Sequence, residues 1–273
     1  MAALRLSELL IVGWSVLAAF LALVRPLPAG RRWVVVAGSV ALLLGTVAIG
    51  QLPDTGVPAV IRNLAPAVFV VGAYWVASGF YVAPQVSLER WLVDADRRLL
   101  APLQLERRLT LGPRRRVDLV EMAYLTVYAV LPVGVWAAWA WGGNAAVDRY
   151  WIVVFPAEAA CYISLAWLQT RPPRDLEPWV GRIRERSSLR RVNEFVLHHG
   201  SHRMNTIPSG HAAGAVAVAL ALAGLASPWA VVFALVALAI LVATVAGRYH
   251  FTADTIAGAL VAFVWWGLVQ LVA

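Results

Sequence analysis

The chain has 273 residues, of which 61% are hydrophobic and 14% charged, with a formal net charge of +8. Soluble domains run nearer 45–50% apolar and about 25% charged, so the composition and a mean hydropathy of +0.72 exclude disordered and collagenous classes. A single cysteine, Cys161, excludes a disulfide scaffold. All 23 basic side chains are arginine, which rules out Schiff-base and P-loop lysine chemistry and, in so apolar a chain, points to anionic lipid or a phosphorylated substrate and not to nucleic acid.

A membrane-spanning helix needs about 20 mostly apolar residues. Eight stretches approach that requirement: Leu9–Val24, Trp33–Gly50, Pro66–Ala83, Leu119–Trp141, Tyr150–Leu168, His211–Ala226, Trp229–Gly247 and Thr252–Val272. The first could be read as a signal peptide, but its basic flank is Arg5 alone and no clean cleavage site follows, which favours an uncleaved span. Trp33, Trp141, Trp151, Trp167 and Trp229 lie near stretch ends, as an interfacial belt requires. The expected fold is therefore all-α: one polytopic membrane helix bundle over residues 1–273. Residues 1–117 supply N-terminal spans and an interfacial helix, and 118–273 a catalytic bundle.

Two polar connections interrupt the pattern. In Leu88–Leu103 the apolar residues Leu88, Trp91, Leu92, Ala95, Leu99 and Leu103 recur at helical spacing, opposite Asp94, Asp96, Arg97 and Arg98. That is a helix lying in the interface. The connection from Gln169 to Gly210 holds Arg171, Arg174, Arg182, Arg184, Arg186, Arg190, Arg191 and Arg203, plus His198, His199 and His202. If all eight stretches span, this connection and the Gly247–His250 junction open on the same side.

Three segments then meet at one surface: Thr170–Arg174, Asn205–His211 and Arg248–Asp254. Pro208-Ser209-Gly210-His211 precedes an apolar helix, whose free N–H groups and dipole attract an anion. Ser209 adds a hydroxyl and Gly210 permits close approach, although Ser209 taken alone is equally a helix cap. His250 and Asp254 are four apart and share a helix face. The carboxylate can hold the imidazole in one tautomer, which makes His250 an activated nucleophile. His211 is placed to protonate a leaving oxygen. Arg171, Arg174 and Arg248 supply planar forks for phosphate oxygens.

The Pro-Ser-Gly-His segment and the following His-x-x-x-Asp resemble the second and third signatures of the type 2 phosphatidic acid phosphatase superfamily, integral-membrane lipid phosphate phosphatases. Arg171-Pro172 is similar to the end of the first signature. Ser164 stands where the common first signature has Lys, and Thr244 where the third has Arg, with Arg248 two residues before His250. Pro172-Pro173-Arg174, Asn205 and the compact Arg248–Asp254 run are similar to the inositol phosphorylceramide synthase-like branch, which passes phosphoryl groups to a lipid hydroxyl. The resemblance implies attack by His250 to give a phosphohistidine, orientation by Asp254 and general acid catalysis by His211. It implies phosphate binding by Arg171, Arg174, Ser209, Gly210 and Arg248, with Asn205 and Tyr249 as further candidates. No metal and no cofactor is implied. The implied partners are a lipid phosphate substrate and membrane lipids. Hydrolysis and transfer both remain open readings, and a non-catalytic anion or lipid transporter is the rival class. Transporters usually show inverted repeats, and no repeat is visible here. A soluble haloperoxidase is excluded by the spans.

Other polar residues have plainer readings. Without Cys or an HExxH spacing, His198, His199 and His202 are solvated or headgroup-facing histidines and not a zinc site. The Arg114-Arg115-Arg116 run is an interfacial stop, Cys161 a small buried residue, and Glu158 an acid inside an apolar stretch with no assigned role. Twenty arginines fall on the catalytic side and three, Arg5, Arg62 and Arg149, on the other. The positive-inside rule puts the catalytic side in the cytoplasm, whereas the resemblance implies an extracytoplasmic site in a multi-pass cell-membrane protein. Oligomeric state leaves no mark in the sequence.

Overall fold

The computed structural model describes residues 3–184, 187–202 and 204–272; Arg186 and Arg203 of the arginine-rich connection lie outside the described residues. The architecture is all-α. Helices α1 (Leu6–Val24), α2 (Ala29–Gly50) and α3 (Gly56–Ser78) form the N-terminal group, followed by α4 (Val86–Leu100), α5 (Leu105–Thr110) and α6 (Arg114–Leu125). The long α7 (Val127–Ile163) comes next. The short α8 (Pro173–Leu176), α9 (Gly181–Arg184) and α10 (Ser188–Gly200) lead to α11 (Gly210–Gly224), α12 (Ala230–Ala246) and α13 (Thr252–Val272).

Each apolar stretch is helical, and α1, α2, α3 and most of α13 are long and apolar enough to cross a membrane, the pattern of a multi-pass protein. The boundaries differ in the middle. α7 breaks where Gly142 and Gly143 leave helical dihedrals, Gly143 with φ of 63°, a conformation that only glycine adopts without strain. The expected span from Leu119 is also divided. α6 and the following helix meet at 46°, and α6 runs along the polar end with Glu121 turned inward. α11 and α12 are shorter, at 15 and 17 residues. α11 is buried on all sides and rich in Ala and Gly, so neighbouring backbones approach closely and it needs no lipid face.

Polar contacts gather at the two ends of the bundle. At one, Arg62 makes a bidentate pair with Glu8 (2.6 and 2.8 Å), Arg5 pairs with Asp54, and Asn63 donates to Asn144 at 2.8 Å. This joins the start of α1, the α2–α3 turn and the break in α7. At the other, Gln169 takes the backbone N–H of Val82 (2.7 Å), and Arg25 stacks over Trp167. The connection Gln169–Gly210 and the α12–α13 junction meet here, as alternating spans require. Trp33, Trp141, Trp167 and Trp229 are exposed, but Trp151 is buried and donates to Asn63 O at 2.9 Å. It is a core residue and not part of the belt.

α4 also turns differently from its apolar pattern. Glu89, Leu92 and Asp96 face inward, while Trp91 and Leu99 are 60% and 59% exposed. The two carboxylates are drawn in by arginines of the polar end, and the large apolar side chains are left outward.

Candidate active site

The α12–α13 junction supplies His250, and the first turn of α13 supplies Asp254. His250 Nδ1 lies 3.1 Å from Asp254 Oδ2, the i,i+4 contact expected at a helix start. Asp254 Oδ2 also accepts from Asn205 Nδ2 at 2.8 Å, and its backbone carbonyl accepts from Ser209 N at 2.8 Å. Asn205 is itself tied to Thr170, through Nδ2 to Oγ1 (3.1 Å) and through an isolated backbone bridge. The carboxylate is thus held by His250 and Asn205, with Ser209 fixing the backbone behind it. With Nδ1 facing that carboxylate, His250 directs Nε2 toward His211, whose Nδ1 is 3.2 Å away. Burial, and then the neighbouring Arg174 guanidinium, push the pKa of His250 down to about 3. The neutral imidazole is therefore its resting form.

The His250–His211 pair stands at the polar end of a cavity of about 620 Å³. Arg174, Gly210 and Tyr249 line the same end, whereas Val68, Val71, Val127 and Leu131 line the apolar remainder. Val68 and Val71 are also 68% and 55% exposed, so the cavity reaches the outer surface of the bundle between α3 and the first half of α7. Arg174 is held by its backbone N–H to Arg248 O (3.1 Å) and by Nη1 to Tyr249 O (3.4 Å). Its nearest carboxylate, Asp175, is 3.9 Å away, so most of its donors remain available. The Tyr249 ring stacks on Tyr124 at 3.5 Å and carries Arg190 over its other side. Its hydroxyl donates to Glu121, and its burial raises its pKa well above the usual phenol range.

Other candidate phosphate ligands sit elsewhere. Arg171 forks onto Glu89 (3.0 and 2.7 Å) and also gives Glu89 its backbone N–H (2.8 Å). Burial alone would raise the Glu89 pKa, but these bonds from Arg171 bring it below the usual value. Arg248 is buried between Asp96 (2.7 Å) and Glu177 (2.7 Å). Both guanidinium groups are paired with carboxylates, and neither residue lines the His250–His211 cavity. Ser209 is fully buried, and its hydroxyl accepts from Ala212 N at 3.3 Å, which makes it the N-cap of α11. Gly210 N is likewise directed to Thr206 Oγ1 (3.3 Å) and Ala213 N to Ser209 O (3.0 Å). Much of the expected N–H anion site is therefore spent on capping, and among the described residues Arg174 is the cation left facing the pair. His202 leaves the α10 helix and stacks on Tyr74 at 3.9 Å, so the three histidines of this region do not converge.

Reading of the sequence missed Glu89, Asp96, Glu121, Arg190 and Asn193. Arg190 and Asn193 both bond Glu121, at 3.2 and 2.6 Å. An acid inside an apolar stretch is the available signal for Glu121; no comparable signal marks the acids of α4.

Residues 90–268 match the family model of the PAP2 superfamily. The chain belongs to that superfamily. The match runs from within α4 through most of α13 and includes Arg174, Asn205, His211, His250 and Asp254. No curated protein and no solved structure matches the chain. As a PAP2-superfamily protein it is a phosphatase-type phosphoesterase.

Proposed function

We propose that this PAP2-superfamily protein hydrolyses a lipid or polyprenyl phosphate within the membrane, by way of a phosphohistidine on His250. The observation that carries the reading is His250 itself, neutral and tied to Asp254 through Nδ1, in a cavity that also holds Arg174 and His211 and has apolar walls from α3 and α7. The substrate's phosphate binds Arg174 while its chain occupies the apolar part and leaves between α3 and α7. The Nε2 lone pair attacks phosphorus, the bond to the leaving oxygen breaks, and His211, whose protonated form the negative charge of the bound phosphate favours, gives its proton to that oxygen. Asp254 supports the positive charge on the His250 ring. In the second half, His211 takes a proton from water, whose oxygen attacks phosphorus, and inorganic phosphate and free His250 are released. These residues provide the nucleophile, acid, base and counter-cation, and no metal enters the scheme.

A lipid alcohol in place of that water would give transfer to a new phospholipid. The compact Arg248–Asp254 run, similar to synthases of that kind, supports this second reading. Purified protein supplied with a labelled lipid phosphate separates the two, through free phosphate or a new labelled lipid. The mechanism itself requires an acid-labile phosphoenzyme, vanadate inhibition and activity in EDTA. Full turnover by His250→Ala would overturn it.

A further inference from the structure

One acid inside the bundle, Glu158 of α7, takes no part in this chemistry or in the ion pairs at either end. It is 4% exposed, and its Oε2 accepts the hydroxyl of Tyr162 at 2.7 Å. No basic side chain pairs with it among the described residues. Both side chains nevertheless line the cavity that holds His211 and His250. They lie against a glycine face of α11. A Cβ on Gly210 would come within 2.4 Å of the Tyr162 ring, and one on Gly214 within 1.7 Å of Glu158 Oε1. Gly210 and Gly214 are about one turn apart, so Tyr162 stands at the level of the phosphate site and Glu158 about 6 Å deeper.

An unpaired carboxyl in a membrane helix is costly and marks function by default. Here a glycine clears the space for it and a cavity reaches it. We propose that Glu158 and Tyr162 form a hydroxyl-reading subsite one helical turn below the phosphate site. It rests on the phosphoesterase reading above and narrows the ligand to one bearing an alcohol group. Because Tyr162 donates to Glu158, what the pair offers is free lone pairs, and these call for a donor. An alcohol meets that need with one hydrogen. An ammonium would bring three donors and a second cation into the cavity of Arg174. The alcohol belongs either to the substrate lipid or to the acceptor that takes the phosphoryl group.

The test uses a 1-acylglycerol 3-phosphate with a free 2-hydroxyl and its 2-deoxy analogue of equal chain length. Wild-type protein is expected to favour the hydroxyl lipid in kcat/KM by about tenfold or more. Glu158→Leu brings that ratio close to one, Tyr162→Phe lowers it, and Glu158→Gln retains part of it because its carbonyl still accepts. A purely structural role would lower both rates and leave the ratio unchanged. Added 1-alkylglycerol supplies the acceptor arm. A shift in the partition between alcohol and water in Glu158→Leu, at constant substrate ratio, assigns the subsite to the acceptor. The two lipids are also compared for thermal protection of the His250→Ala protein, which needs no turnover. Hydroxyl preference there without phosphate release by the wild type overturns the phosphoesterase reading alone. Equal handling of both lipids by wild type and Glu158→Leu, with partition unchanged, overturns the subsite.

Discussion

Asp96 joins the helix α4 to the turn that carries His250 through both of its oxygens. Oδ2 accepts from Arg248 Nη1 at 2.7 Å, and Oδ1 accepts the backbone N–H of Thr252 at 2.9 Å. His250 lies between those two anchors. Arg248 has a φ of 61°, a conformation that costs a non-glycine residue about 1–3 kcal/mol unless its surroundings hold it. Asp96 and Glu177 are those surroundings. Their arginine is thus a support for His250 placed behind the site.

Asp96→Asn keeps the shape and removes the charge. Loss of one partner of a buried pair costs about 3–5 kcal/mol; with Glu177 still present the lower end is expected. Thermal unfolding in detergent should show that loss. Phosphate release should show a fall in kcat of about tenfold with KM little changed, because Arg174, the proposed phosphate ligand, is not the residue altered.

Arg174 and Arg171 are expected to fail in different ways. A charge-assisted hydrogen bond is worth about 1.5–3 kcal/mol, so Arg174→Ala lowers kcat/KM by about one to two orders of magnitude. Arg171→Ala instead strands Glu89, which is buried, and lowers the melting temperature while kcat/KM stays within a few-fold of wild type for the protein that remains folded. Steady-state kinetics and unfolding of both variants check the contrast.

Acid should weaken the fold. Burial lowers the His202 pKa to about 4, and that of His250 is about 3, against about 6.5 in the unfolded chain. Between pH 6.5 and 4 the unfolded state binds protons that the folded state refuses, so stability falls as pH falls through that window. The melting temperature should drop from pH 7 to pH 4, and His202→Gln should flatten the drop. For the same reason, any acidic limb of the activity profile near pH 6 does not report His250.

Gly214→Ala drives a methyl to 1.7 Å from Glu158 Oε1. Overpacking of this kind costs about 1–3 kcal/mol. The loss should disappear in a Glu158→Ala background and persist with Glu158→Gln, which has the same bulk. A double-mutant cycle on unfolding free energies measures the coupling.

The legible part of this protein was the part written in local spacing. Apolar runs located the helices, because a span must satisfy its backbone within itself. The four-residue interval from His250 to Asp254 put two side chains on one face without any knowledge of the fold. The Pro208–His211 segment before an apolar helix located the α11 cap, although its amides were more committed than the spacing implied.

The arginines were a different matter. A guanidinium reads the same in sequence whether it faces a phosphate or a carboxylate, and which it meets depends on chains far apart. Asp96 lies 152 positions from Arg248 and Glu89 82 from Arg171; no periodicity links them. Sequence alone determined an all-α, arginine-rich membrane bundle with its histidines and aspartate at one end, because hydropathy and helical period are properties of neighbouring residues. Only tertiary structure decided that, among the described residues, Arg174 is the cation facing His211 and His250. That outcome follows from which buried charges find partners when α4, the Gln169–Gly210 connection and the start of α13 close on one another.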